Sequence, residues 1–128
     1  MLNKIYIIFI LFLCLTKSLI AEQILYLEDN FFPEGITIAK NGDIYVGSLK
    51  ENKIVKFKNE KKKSELFVSS NSNGLMSVIG ILADDRNKIL WACSSNPGVT
   101  NYPSDNPVSL KAFDLNTGEH LQSYEFPS

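Results

Sequence analysis

Few residues in this chain stand in a pattern that does chemistry, and the absences narrow the field first. His120 is the only histidine. It has no second histidine or cysteine at metal-ligand spacing, so it takes no metal role. Neither a serine nucleophile elbow, nor a phosphate-cradling glycine loop, nor a zinc pattern occurs. Cys14 and Cys93 are the two cysteines, and Cys14 lies in the apolar N-terminal segment. Cys93 reads as a small buried strand residue; the alternative is a reactive thiol or one that pairs between chains. Trp91 reads as core. Asn96 opens a polar, proline-bearing loop, where its amide could face a ligand or make its own turn. Glu60 to Lys63 reads as a charged hairpin tip, with an acidic-partner patch as the alternative.

These positions hang on a repeat. Gly35 to Ser48, GITIAKNGDIYVGS, reads as strand, tight turn, strand, and Gly80 to Cys93, GILADDRNKILWAC, repeats it 45 residues later without a gap. Gly35 falls on Gly80, Ile44 on Ile89, Tyr45 on Leu90 and Gly47 on Ala92. Asn41-Gly42 is a strong hairpin signal, because both residues tolerate positive φ. A self-similar unit of about 40–45 residues rich in short strands is the sign of a β-propeller blade. In the first unit strands are expected over Gly35 to Ala39, Asp43 to Leu49, Lys53 to Lys58 and Glu65 to Ser69. The third, with its lysines, reads as an exposed-face strand. In the second they are expected over Val78 to Ala83, Ile89 to Ser94, Ser109 to Leu115 and Leu121 to Phe126. Matching Phe57 to Phe113 lengthens the spacing from 45 to 56 and marks the insert Asn96 to Pro107. Loops of that length are often functional or mobile.

The expected fold is therefore all-β, a partial β-propeller of about two four-stranded antiparallel blades. The first covers about residues 31–70 and the second about 77–127. One further strand, Gln23 to Leu27, would suit the outermost strand of a blade closed from the far end of the chain. Ahead of it, residues 1–21 read as a signal peptide: Lys4, an unbroken apolar run from Ile5 to Leu15, and the small Ala21 before Glu22. The run is short for a spanning helix, which needs about 20 residues. An uncleaved anchor is the alternative. Export to the periplasm or outside the cell follows, with no membrane attachment after cleavage. Lys4 and Lys17 are the segment's only charges, so 11 basic and 14 acidic residues remain, a net charge of −3. That excludes the concentrated basic face a nucleic-acid partner requires.

Phe32-Pro33-Glu34-Gly35-Ile36, then Asn41-Gly42-Asp43-Ile44-Tyr45-Val46, then Lys53-Ile54-Val55-Lys56-Phe57, resembles a blade of the gluconolactonase family, the regucalcin-like six-bladed propellers. The closing LKAFDLNTGEHLQSYEF is similar to the same family's strands that end on Asp-x-x-Thr-Gly. NHL-repeat and strictosidine-synthase-like propellers share the turn and strand pattern. The resemblance covers residues 31–126 and implies a metal-dependent lactone hydrolase acting on a small-molecule substrate. It implies that the acid before the glycine of an innermost strand points into the central channel and binds a divalent metal, calcium in the family. Glu34 matches that position. Converging strand starts can surround a hard cation with oxygens, and calcium takes about 6–8 of them. The second unit departs here, with Ile79 at the matching position. Asn73-Gly74 echoes a ligand-bearing Asn-Gly of the family but precedes its strand by several residues, as a turn would. Asn96 is a possible channel-mouth residue.

Six blades need roughly 270 residues at about 45 each, and two are present. Two expectations follow. The chain is the first part of a longer propeller, inactive alone, or three copies close one ring. In either case open blade edges favour self-association. The rival to the hydrolase reading is a non-catalytic propeller that binds a ligand or partner, with Asn96 to Pro107 as its contact surface.

Overall fold

The computed structural model describes residues 24–127 except Glu60 and Pro103. The expected signal segment, Cys14 and Gln23 lie outside the described residues. The chain folds into two four-stranded antiparallel sheets, each a simple meander. The first holds β1 (Pro33–Ile38), β2 (Ile44–Ser48), β3 (Ile54–Phe57) and β4 (Glu65–Val68). The second holds β5 (Ser77–Asp84), β6 (Ile89–Ser95), β7 (Ser109–Asp114) and β8 (His120–Glu125). These are the blades of a partial β-propeller, and all eight strands fall where the alternating apolar pattern places them. A 3-10 turn at Ser72–Gly74 links the sheets.

Local chemistry explains the hairpins. At the β1–β2 turn Gly42 has φ +86° and its N–H donates to the Ala39 carbonyl at 2.9 Å. Asn41 Oδ1 accepts the Asp43 N–H at 3.0 Å, closing a turn a β-branched residue could not make. The β5–β6 turn does the same with Asp84 as acceptor and Lys88 at φ +60°. It is one residue shorter: Tyr45 pairs with Thr37, but Leu90 pairs with Ala83 rather than Leu82. The gap-free repeat therefore holds for β2 and β6 and slips by one between β1 and β5. A second slip lies beyond the insert. Ile44 pairs with Phe57 and Ile89 with Asp114, an offset of 57 rather than 56. Phe113 thus takes the inward place of Lys56, and Phe57 faces the other way.

The main core lies between the blades. Tyr45 and Ile54 from the first sheet meet Val78, Leu90, Ala92 and Phe113 from the second, all buried. Tyr45 donates its hydroxyl to the Leu115 carbonyl across this gap at 2.7 Å. Burial, reinforced by Asp43, pushes its phenol up to about 12. Thr37 Oγ1 accepts the Ala83 N–H at 3.1 Å, so the inner strands β1 and β5 stand side by side. The approach is close enough to exclude a side chain at Gly47, where a Cβ would lie 2.3 Å from Val78 Cγ1.

A smaller core covers the opposite face of the first blade. Phe31, Val46, Val55 and Phe57 pack there with Leu25 and Leu27. Residues 25–27 thus lie over their own first blade, and among the described residues their β-pairing is one parallel bridge, Tyr26 to Lys63. With cover on both sides, β3 is buried at all four positions rather than exposed on one face. Even Lys56 is buried, its Nζ 4.8 Å from the Phe67 ring centroid.

Candidate functional site

Strand direction gathers the start of β1, the β2–β3 turn, the β4–β5 link, the start of β5 and the β6–β7 insert at one end of the blade pair. Pro33 stands opposite Ser48, and Ser77 opposite Ser95. Every residue tied to the channel by the family resemblance lies at this end.

Glu34 sits on β1 where the pairing with β2 shifts, between Pro33 and Ile36, and it is exposed. Ile79, its match at the 45-residue spacing, sits in an irregularity of β5 between Val78 and Gly80 that lies opposite Cys93 and Ser94 rather than opposite Ala92, the counterpart of Gly47, and it is also exposed. A bulge re-aims the side chain it carries, so each blade turns one side chain outward near this end, an acid in the first and an aliphatic one in the second, at places that the register slip offsets. Among the described residues no group of three or more His, Cys, Asp or Glu gathers around a common point. Glu34 is therefore one oxygen donor, short of a coordination shell.

The insert is bound to the first blade. Thr100 donates its hydroxyl to Asn52 Oδ1 at 2.7 Å, and the Asn101 N–H donates to the Lys50 carbonyl at 2.9 Å. Asn101 Nδ2 reaches Glu51 Oε1 at 2.6 Å. Asn52 is fully buried at φ +50°, and its Nδ2 donates to Asn71 Oδ1 at 2.9 Å and to the Tyr102 carbonyl at 3.1 Å. One amide thus ties the β2–β3 turn, the β4–β5 link and the insert together. Asn96 spends its polar atoms inside the insert: Oδ1 accepts the Gly98 N–H at 3.1 Å, and Nδ2 donates to the Ser104 carbonyl at 3.0 Å.

The other singled-out residues separate. Asn73 lies in the 3-10 turn at φ +51°. His120 begins β8, 2.8 Å from Ser123 Oγ and edge-on to Phe113. Trp91 and Cys93 depart from the buried places expected of them: Trp91 is half-buried and Cys93 exposed. The physical reason is directional. Both point to the face of the second blade that turns away from the first, beside Leu82, Leu110 and Tyr124. Trp91 and Tyr124 pack together with ring centroids 6.1 Å apart. A shallow apolar hollow of about 400 Å³ opens on this face, lined by Gly80, Ile81, Leu82, Trp91, Cys93 and Leu110. Sequence reasoning missed Asn52, whose only local signal is that of a turn residue, and Lys111, which is buried in mid-strand.

No protein-family model matches this sequence, and no curated protein is significantly similar to it.

Proposed function

We propose that this chain is a blade pair of an exported, gluconolactonase-like propeller, and that by itself it is an interaction module that performs no lactone hydrolysis. The observation that carries this reading is the apolar far face of the second blade. Leu82 is 60% and Tyr124 51% exposed there, around Trp91 and Cys93. Blades of repeat folds bury such faces against the next blade, and apolar patches of this kind mark association surfaces. The inner strand of the first blade offers a matching surface on its own far side, with Ile36 and Ile38 each 63% exposed. The two surfaces differ, so contact between copies is head to tail, and a rotation that closes gives a ring. Three chains supply six blades.

Light scattering on the purified chain over a range of concentrations tests this. A mass of three chains that falls to one on Trp91→Glu is the expected result. A single-chain mass at every concentration would overturn the reading.

A second reading, metal-dependent lactone hydrolysis by the completed ring, has Glu34 in its favour, exposed at the start of an innermost strand. Calcium-dependent lactone opening by the assembled protein, lost on Glu34→Gln, would establish it. An assembled but inert ring would leave the interaction role alone.

A further inference from the structure

We infer that Lys111 and the pocket beside it form a binding site for a small, singly charged carboxylate. Lys111 lies in the middle of β7, opposite Ala92 and Ser123, and is 5% exposed. Its Nζ donates to the Asn73 carbonyl at 2.8 Å and to Ser123 Oγ at 3.1 Å. Both acceptors are neutral. Among the described residues the ion pairs are Lys53–Glu28, Lys56–Glu65 and Lys58–Glu65, so Lys111 has no carboxylate within 4.0 Å. An ammonium carries three N–H donors, which leaves a third donor without a partner and a charge that Glu125, not in contact with it, compensates only in part. Buried charges are ordinarily paired.

The space next to this ammonium suits an anion. A pocket of about 160 Å³ is lined by Lys111, Ser109, Ser123, Asn73, Asn106 and the carboxylate-bearing Glu125, among others. Hydroxyl and amide groups supply neutral donors around the cation. A water could take the third N–H, but it would not balance the charge. Glu125 sets the selectivity: it repels a second negative charge, which disfavours sulfate and phosphate relative to a monocarboxylate. Burial pulls the Lys111 ammonium below its usual range, partly opposed by Glu125, as expected of a cation short of a counter-charge. The size admits a ligand from acetate up to a small hydroxy acid.

This site goes beyond the assembly reading and does not rest on it. Lys111 is on the sheet face opposite Trp91 and Cys93, since Leu110, its neighbour in the strand, is the residue that pairs with Cys93. Covering the far face leaves the pocket open.

The test is an NMR titration of the purified chain with sodium acetate, and separately with sodium sulfate at matched ionic strength. Saturable acetate shifts of the Gly74, Ser109 and Ser123 amides, with weaker sulfate binding, are expected. Lys111→Met keeps the buried stem and removes the charge, and should weaken acetate binding at least about tenfold, the usual scale for a charge-assisted hydrogen bond. Glu125→Gln changes an exposed residue and should tighten acetate and admit sulfate. Absence of saturable acetate shifts, or undiminished binding by a folded Lys111→Met chain, would overturn the site. If Lys111→Met does not fold, the Glu125→Gln arm decides: unchanged acetate and sulfate affinities would sink the assignment.

Discussion

Gly47→Ala places one methyl group where the two blades touch. Gly47 lies on β2 opposite Ile54, on the face toward the second blade. A Cβ there would be 2.3 Å from Val78 Cγ1, 2.7 Å from its Cβ and 3.4 Å from its carbonyl oxygen. Val78 cannot swing aside cheaply, because it is fully buried in β5 and β-branched side chains are stiff at χ1. Either the blades separate or a side chain leaves its rotamer. Overpacking of this kind costs about 1–3 kcal/mol. Alanine also restricts the unfolded chain, which returns about 0.4–1 kcal/mol. The net loss is about 1–2 kcal/mol, or roughly 5–15 °C in Tm for a domain of this size. Urea unfolding monitored by Trp91, the only tryptophan, and by circular dichroism measures it. Val78→Ala in the same chain removes both γ carbons and should recover about 1 kcal/mol of the clash as favourable coupling. An unchanged midpoint for Gly47→Ala, or strict additivity in the double variant, would refute the argument that the blades meet at these two residues.

Two further outcomes are expected. Asn52→Ala leaves Asn71, Thr100 and Tyr102 without their buried partner and puts alanine at φ +50°, so it should cost about 2–4 kcal/mol. Hydrogen exchange at the Asn101 amide, which holds the insert to Lys50, should accelerate; unchanged protection would show that the insert does not depend on Asn52. Acid should also weaken the fold. Asp84 is held below the usual carboxylate range by the Asn87 side chain and the turn N–H groups, and Asp114 by the N–H groups of Thr117 and Asn116. A depressed folded value means stability that is full above the unfolded pKa, about 3.9, and is lost as pH falls through the folded values. The Tm should therefore drop below about pH 4, less steeply in Asp114→Asn. Equal slopes for the two proteins would count against the role of Asp114.

The insert Asn96 to Pro107 shows where sequence reasoning stopped. Its position, length and lack of strands are legible from prolines and polar filler between two alternating runs. Its role is not. Thr100 and Asn101 find partners in a turn 50 residues earlier in the chain, and nothing local in either segment encodes that meeting. Trp91 and Cys93 show the same limit from the other side. Alternation places both on one face of β6, but whether a face is covered depends on what packs above it. Lys111 looks like an outward lysine in LKAFD, and it is buried because its face is the one turned toward the first blade.

By itself, the sequence determined the eight strands, their meander order, the Asn41-Gly42 turn and the pairing of two like units. Those follow from side-chain period, β-branching and turn residues, all of which act within a few positions. Only the tertiary structure decided the register slips that exchange Phe57 and Lys56 for Asp114 and Phe113 and the burial of β3 on both faces. It also decided which faces stay open. These depend on contacts between residues far apart in the chain, where the close approach of two backbones, as at Gly47 and Val78, selects one packing among several that the same strands allow.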